Sequence, residues 1–345
     1  VPQDRFGRWL HLRRRILLFP KGHIMKVGVV GVGAVGASVA MAVVLRGVAD
    51  EVVLIDTNMD RARGVATDMT YGLPMVSTTG VRAGDYPDLK GAGVVIIAAG
   101  INEKAGGATD RNDPLGRLRL LDANAAIVAS IVPRIVRCAP AAVILIATNP
   151  PEPLVEIARA HAGHDRILSS STTLDTLRLR VHVARRLNVH PNFVEAYVVG
   201  EHGTNSVFLW SSARVGGQPL TVWLASRDID PAVFRREIEA DVKHANIAII
   251  QGTGASQYGI GMVAARLAEI ILRDERAVLP VGSHNPAFGT TLSLPSIVGK
   301  EGVAQAVLPL MSEEESTALQ RCAERLVEAG ASYVDGLPGR RAVGE

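Results

Sequence analysis

A histidine stands between two glycines in the stretch GEHG at 200–203, directly after the apolar run Ala196, Tyr197, Val198, Val199. A strand that stops at a glycine and then presents an imidazole can aim a proton-transfer group into a cleft. Imidazole suits that task because its charge changes near neutral pH. His202 is therefore the candidate acid–base residue. Asp175 and Arg178 lie three apart in a segment of helical spacing and share one helix face. Taken as structure, they are an ion pair worth roughly 0.2–0.5 kcal/mol. Taken as chemistry, the aspartate would hold the tautomer of a histidine and stabilise its cation, and the arginine would make a two-pronged contact with a substrate carboxylate. Asn149, in TNP after an apolar run, is either a turn residue or a hydrogen-bond donor to cofactor and substrate. His161 and His164 lie three apart without an accompanying cysteine or carboxylate cluster, so no metal site is expected. His190, before Pro191, reads as structural.

These groups need a scaffold. Residues 26–31 (KVGVVG) read as a short buried strand, 33–47 as a helix, 51–56 (EVVLID) as a second strand and 60–71 as a polar-faced helix. Strands follow at 76–82, 93–99 and 142–148, with a polar, glycine-rich loop at 100–116 and a helix at 117–138. That alternation predicts an α/β fold, a Rossmann-type doubly wound parallel sheet with right-handed crossovers. After residue 169 the rhythm changes. Helices are expected at 174–187, 231–251, 257–273 and 312–328, strands at 193–199, 277–281 and 290–295, and a hairpin arm at 206–215. The expected organisation is a basic extension over 1–24, a dinucleotide-binding domain over 25–168 and a mixed α+β substrate domain over 169–345.

Gly31, Gly33 and Gly36 form G-x-G-x-x-G after the first strand and open a helix. The first glycine permits the tight turn, the second admits a pyrophosphate to the backbone, and the third lets helix and strand pack closely. Asp56 lies twenty residues past Gly36 at the end of the second strand, where a carboxylate accepts hydrogen bonds from a ribose diol and repels a 2′-phosphate. Thr57 and Asn58 follow, with no arginine directly at hand, which favours NAD over NADP.

The chain has 345 residues, 48% hydrophobic and only 4% aromatic, as suits helices packed on a parallel sheet. Its net charge of +3 misleads, because residues 1–24 carry Arg5, Arg8, Arg13, Arg14, Arg15 and Lys21 against Asp4, leaving 25–345 at −2. The body is thus no basic nucleic-acid binder. The extension could be a transit peptide or an amphipathic membrane helix; a disordered or over-extended start is the plainer expectation. No apolar run has the length of a membrane span. Cys138 and Cys322 lie far apart in apolar surroundings, which fits a reducing cytoplasm rather than a disulfide framework.

The ordered set GxGxxG, VLID, AAG, ATNP, LDxxR and GEHG resembles the L-lactate/L-malate dehydrogenase family from Met25 to the last helix. The resemblance implies an NAD-dependent L-2-hydroxyacid dehydrogenase, with His202 as acid–base residue, Asp175 as its partner and Arg178 on the substrate carboxylate. It implies Arg117 as the loop arginine that polarises the carbonyl, Asn149 on cofactor and substrate, Asn124 at the cofactor, and Ser256 at the pocket wall. Neutral histidine serves oxidation and protonated histidine reduction, so the pH optima should differ by direction. The loop before Arg117 carries Asn102, Glu103 and Lys104 where a lactate-type Gln or a malate-type Arg is usual, and it is longer than usual. Arg111 in the loop matches no family position by count. The stretches DPLG at 113–116, WSSARVGGQ at 210–218 and LPSIVGKEGV at 294–303 resemble the L-2-hydroxyisocaproate dehydrogenase branch. Lactate-like or bulkier branched acids are therefore expected over malate, the alternative. Glu195 stands where a sugar-phosphate-activated relative would carry a histidine opposite Arg180. The family also implies a homodimer or homotetramer.

Overall fold

The computed structural model describes residues 25–101 and 120–334. The basic extension, the loop with Glu103 and Arg111, and Arg117 lie outside the described residues. β1 (Lys26–Val30), β4 (Ala92–Ile97) and β5 (Val143–Ile146) are almost wholly apolar. Such strands have no polar face to give to water, so they lie inside a sheet covered on both sides. Alternate residues feed two cores: Val29 and Ile96 meet α1 (Ala34–Arg46) and α8 (Tyr258–Leu272). Val30 and Ile97 meet α3 (Leu121–Cys138) and α4 (Pro151–Ala162) on the other face.

With β2 (Glu51–Ile55), β3 (Gly80–Ala83) and β6 (Ile167–Ser169), the parallel strands run in the order β6-β5-β4-β1-β2-β3, the doubly wound arrangement expected. The order reverses between β1 and β4, and ligands of such sheets bind at the carboxyl ends beside that reversal. The sheet does not stop at β6. Antiparallel β12 (Ala277–Asn285), β13 (Thr290–Gly299) and β14 (Gly302–Ala306) extend it to nine strands among the described residues, with Gly282 opposite Ser169. A separate core around Trp210 and Phe234 joins α5 (Thr173–Leu187), α6 (Leu220–Ala225) and α7 (Pro231–Thr253). α9 (Glu313–Val334) closes a fourth core over Val199, Leu292 and Leu294.

Several elements differ from the sequence expectation. The strand expected at 193–199 is two: β7 (Val194–Glu195) pairs with β10 (Arg214–Val215), and β8 (Val198–Val199) pairs with β9 (Val207–Phe208). The expected arm at 206–215 is likewise divided between two sheets, β10 pairing also with β11 (Gln218–Pro219). The strand expected from 76 begins at Gly80, because Pro74 sits in a 3₁₀ turn over Leu73–Met75. α4, β6, α6 and β14 have no counterpart in the sequence reading. α4 opens on Pro151 and contains Pro153, which hides a helix by composition although proline is tolerated in a first turn. β12 and β13 run past their expected ends, where the buried polar residues Ser283 and Ser296 interrupt the apolar pattern.

Candidate active site

The glycine turn is demanded by its own backbone. Gly31 has φ +92°, and a Cβ there would fall 2.4 Å from the Ala99 amide nitrogen; at Gly36 it would fall 1.8 Å from the Gly31 carbonyl oxygen. At Gly33 nothing lies within 4 Å. Gly33 also caps α1 without a side chain, and no acid stands in that helix's first turn. An open backbone at an uncapped helix N-terminus fits the pyrophosphate of a dinucleotide. Asp56 directly follows β2, and its carboxylate accepts hydrogen bonds from the Val32 amide at 2.7 Å and the Asn58 amide at 2.8 Å. One detail departs from the sequence reading: Arg61 lies one turn along α2 (Met59–Gly72), with Nη1 3.8 Å from Asp56 Oδ2. The half-exposed guanidinium faces the aspartate, and a carboxylate at that strand end repels a 2′-phosphate.

Asn124 is buried in α3. Its amide accepts from the Ile101 N–H at 2.7 Å and donates to the Asn149 carbonyl at 2.7 Å. Asn124 thus ties the end of β4 to the end of β5, beside Thr148, whose hydroxyl donates to the Ala99 carbonyl at 2.9 Å. Asn149 precedes a cis proline and lines the same cleft as His202 and Ser256.

The catalytic candidates converge. His202 Nδ1 lies 2.5 Å from Asp175 Oδ2, and Arg178 Nη1 donates to Asp175 Oδ1 at 3.0 Å. An ionised carboxylate only accepts, so Nδ1 carries the proton and Nε2 is left as the basic nitrogen. All three side chains are largely buried, at 11% exposure for His202, 8% for Asp175 and 12% for Arg178, which strengthens their mutual attraction. Helix spacing sets Asp175 and Arg178 on one face of α5. The turn after β8 brings His202 to them. That turn needs Gly200, whose φ is +87° and whose Cβ position lies 2.9 Å from Cys322 Sγ on α9.

Two polar residues of this site were not singled out from sequence. Asn246 on α7 is buried, lines the cleft, and accepts from Arg178 Nη2 at 3.1 Å. The signal was there: Phe234, Ile238, Val242, Asn246 and Ile250 form a buried stripe at four-residue spacing, with one amide in it. Glu152 in α4 accepts from the His202 backbone N–H at 3.0 Å. A cluster that holds an imidazole in one tautomer beside a guanidinium, next to a dinucleotide turn, can move a proton at a carboxylate-bearing substrate. Among the described residues no group of three or more His, Cys, Asp or Glu could hold a metal ion, and no helix is long and apolar enough to cross a membrane.

The chain is similar to known proteins along most of its length. The family "lactate/malate dehydrogenase, NAD binding domain" matches residues 25–167, and "lactate/malate dehydrogenase, alpha/beta C-terminal domain" matches 172–333. An L-lactate dehydrogenase of Thermus aquaticus is 43% identical over 316 residues, covering 89% of this chain and 99% of that one. One from Chloroherpeton thalassium is 41% identical over 308 residues, covering 88% and 98%. A lactate dehydrogenase from a Medee basin deep-sea metagenome superposes with a TM-score of 0.83 at 32% identity, covering 90% and 99%.

Proposed function

Because the chain belongs to the lactate/malate dehydrogenase family, we propose that it interconverts L-lactate and pyruvate, or a bulkier branched pair of the same class, through His202. It is an NAD-dependent L-2-hydroxyacid dehydrogenase. The observation that carries the residue roles is the bond between His202 Nδ1 and Asp175 Oδ2 with Arg178 on the same carboxylate.

Bound NAD supplies the acceptor for the hydride of the 2-carbon. In oxidation, His202 Nε2 takes the hydroxyl proton of the substrate. Asp175 keeps Nδ1 protonated and stabilises the imidazolium that forms. Arg178 binds the substrate carboxylate, and Asn246 and Asp175 fix its guanidinium plane. Arg117 opposes charge on the reacting oxygen. Asn149 touches cofactor and substrate, with Asn124 holding its backbone. Ser256 forms the pocket wall. Gly31, Gly33 and Gly36 hold the pyrophosphate, and Asp56 takes the ribose diol. We assign the cofactor domain to 25–168 and the substrate domain to 169–345. A homodimer or homotetramer in a reducing cytoplasm is part of the same reading, the two cysteines being unbridged.

Steady-state rates with NADH and pyruvate, 2-oxoisocaproate and oxaloacetate test the substrate. Pyruvate or 2-oxoisocaproate is expected to lead in kcat/KM by at least about tenfold. Preference for oxaloacetate would overturn the assignment in favour of malate.

A further inference from the structure

Asp175 holds the ring of His202; a different carboxyl holds its backbone. Glu152 lies in the first turn of α4 and is 2% exposed. Its Oε1 accepts two hydrogen bonds, from the His202 N–H at 3.0 Å and from the Ser171 hydroxyl. Ser171 has φ +36°, a left-handed backbone at a non-glycine residue, two positions before α5 begins. One buried oxygen thus joins three segments that deliver the site. α4 begins just after Asn149, the turn at Ser171 leads into the helix of Asp175 and Arg178, and the third segment carries His202.

We propose that Glu152 is a positioning residue whose buried carboxyl oxygen sets the distance between His202 and the Asp175–Arg178 helix. This rests on the reading of His202 as the acid–base residue. Burial drives the Glu152 carboxyl toward its protonated form; the Ser171 hydroxyl and His202 pull against that, and Glu201 adds to it, leaving the pKa raised. The charged and titratable groups that face it are His202 and Glu201 on the turn after β8 and Cys322 on α9.

The test is a series of Glu152→Ala, Glu152→Gln and His202→Asn, assayed with pyruvate and NADH across pH and titrated with NADH alone. Glu152→Ala should lose on the order of 10²-fold in kcat, the scale of an ångström's misplacement, with NADH affinity within about threefold of the parent. Glu152→Gln keeps the acceptor oxygen, so it should restore kcat to within about threefold. Parent kcat in a folded, NADH-binding Glu152→Ala protein would overturn the proposal. So would a Glu152→Gln protein as impaired in kcat as Glu152→Ala, since the retained acceptor oxygen would then not be what places His202. If Glu152→Ala does not fold, Glu152→Gln decides: kcat within about threefold of the parent supports the proposal, and a loss on the order of 10²-fold with NADH affinity kept overturns it. His202→Asn reports on the acid–base assignment separately: activity surviving there sinks that assignment whatever Glu152 does.

Discussion

The glycine turn at 31–36 and the cluster around His202 meet in one cleft, yet they are made differently. The turn is backbone from a single stretch, fixed by the approach of Gly31 to Ala99 and of Gly36 to Gly31. The cluster is side chains from distant places: Asp175 is 27 residues from His202, Glu152 is 50, and Asn246 is 68 from Arg178. A contiguous turn fails locally, by steric overlap. An assembled cluster fails by geometry, when any supporting element shifts. Damage to the first should therefore appear in cofactor affinity, and damage to the second in turnover.

The sharpest way to break this comparison is Asp175→Asn. It removes the charge that fixes the His202 tautomer, so kcat should fall about 10³- to 10⁴-fold while NADH binding stays within about twofold. A kcat within tenfold of the parent would refute the assembled-cluster view. Gly36→Ala is the converse. The new methyl meets the Gly31 carbonyl, and overpacking of roughly 1–3 kcal/mol weakens NADH on the order of 10- to 100-fold. A fluorescence titration that gives the parent Kd would show the turn to be more yielding than its geometry implies. Asn246→Ala is milder. Losing one hydrogen bond to Arg178 should raise KM for the 2-oxo acid about tenfold with kcat little changed, and equal losses in both would place Asn246 in the reaction itself.

The smallest effect concerns Glu156, one turn along α4 from Glu152. Burial pushes its carboxyl up, but the hydrogen bonds from His284 and Thr291, with the charges of His284 and Arg159, outweigh that and hold it below the ordinary range. A depressed carboxyl contributes stability above its unfolded pKa and loses it as pH falls through the folded value. Glu156→Gln should melt a few degrees below the parent at pH 7, and the gap should close below about pH 4, with kcat unchanged. A gap that stays constant with pH would rule out the ionised carboxylate as its source.

Much of the cofactor half was legible in the sequence, because its determinants are local: apolar runs of strand length, three glycines at fixed offsets, an aspartate at a strand end. His202, Asp175 and Arg178 were legible as an ordered set, although nothing in their spacing fixes the 2.5 Å contact. What stayed hidden was set by tertiary burial. Glu152 is a carboxylate that only its packing buries, and Asn246 is a lone amide in an otherwise apolar stripe. The prolines of α4 masked the helix that carries Glu152. The buried Ser283 of β12 and Ser296 of β13 masked how far those strands run. Glu103 and Arg111, on which substrate size was argued, lie outside the described residues, as does Arg117.

The antiparallel hairpin laid against β6 has a consequence for anyone who would exchange halves between relatives. The change of rhythm near residue 169 invites a cut there, but that cut falls within β6 (Ile167–Ser169), whose outer edge is covered by β12. A transplanted first half would carry a bare strand edge, a template for unwanted pairing with other chains. Chimaeras of this chain should therefore join elsewhere, moving the first six strands together with the hairpin that was made last.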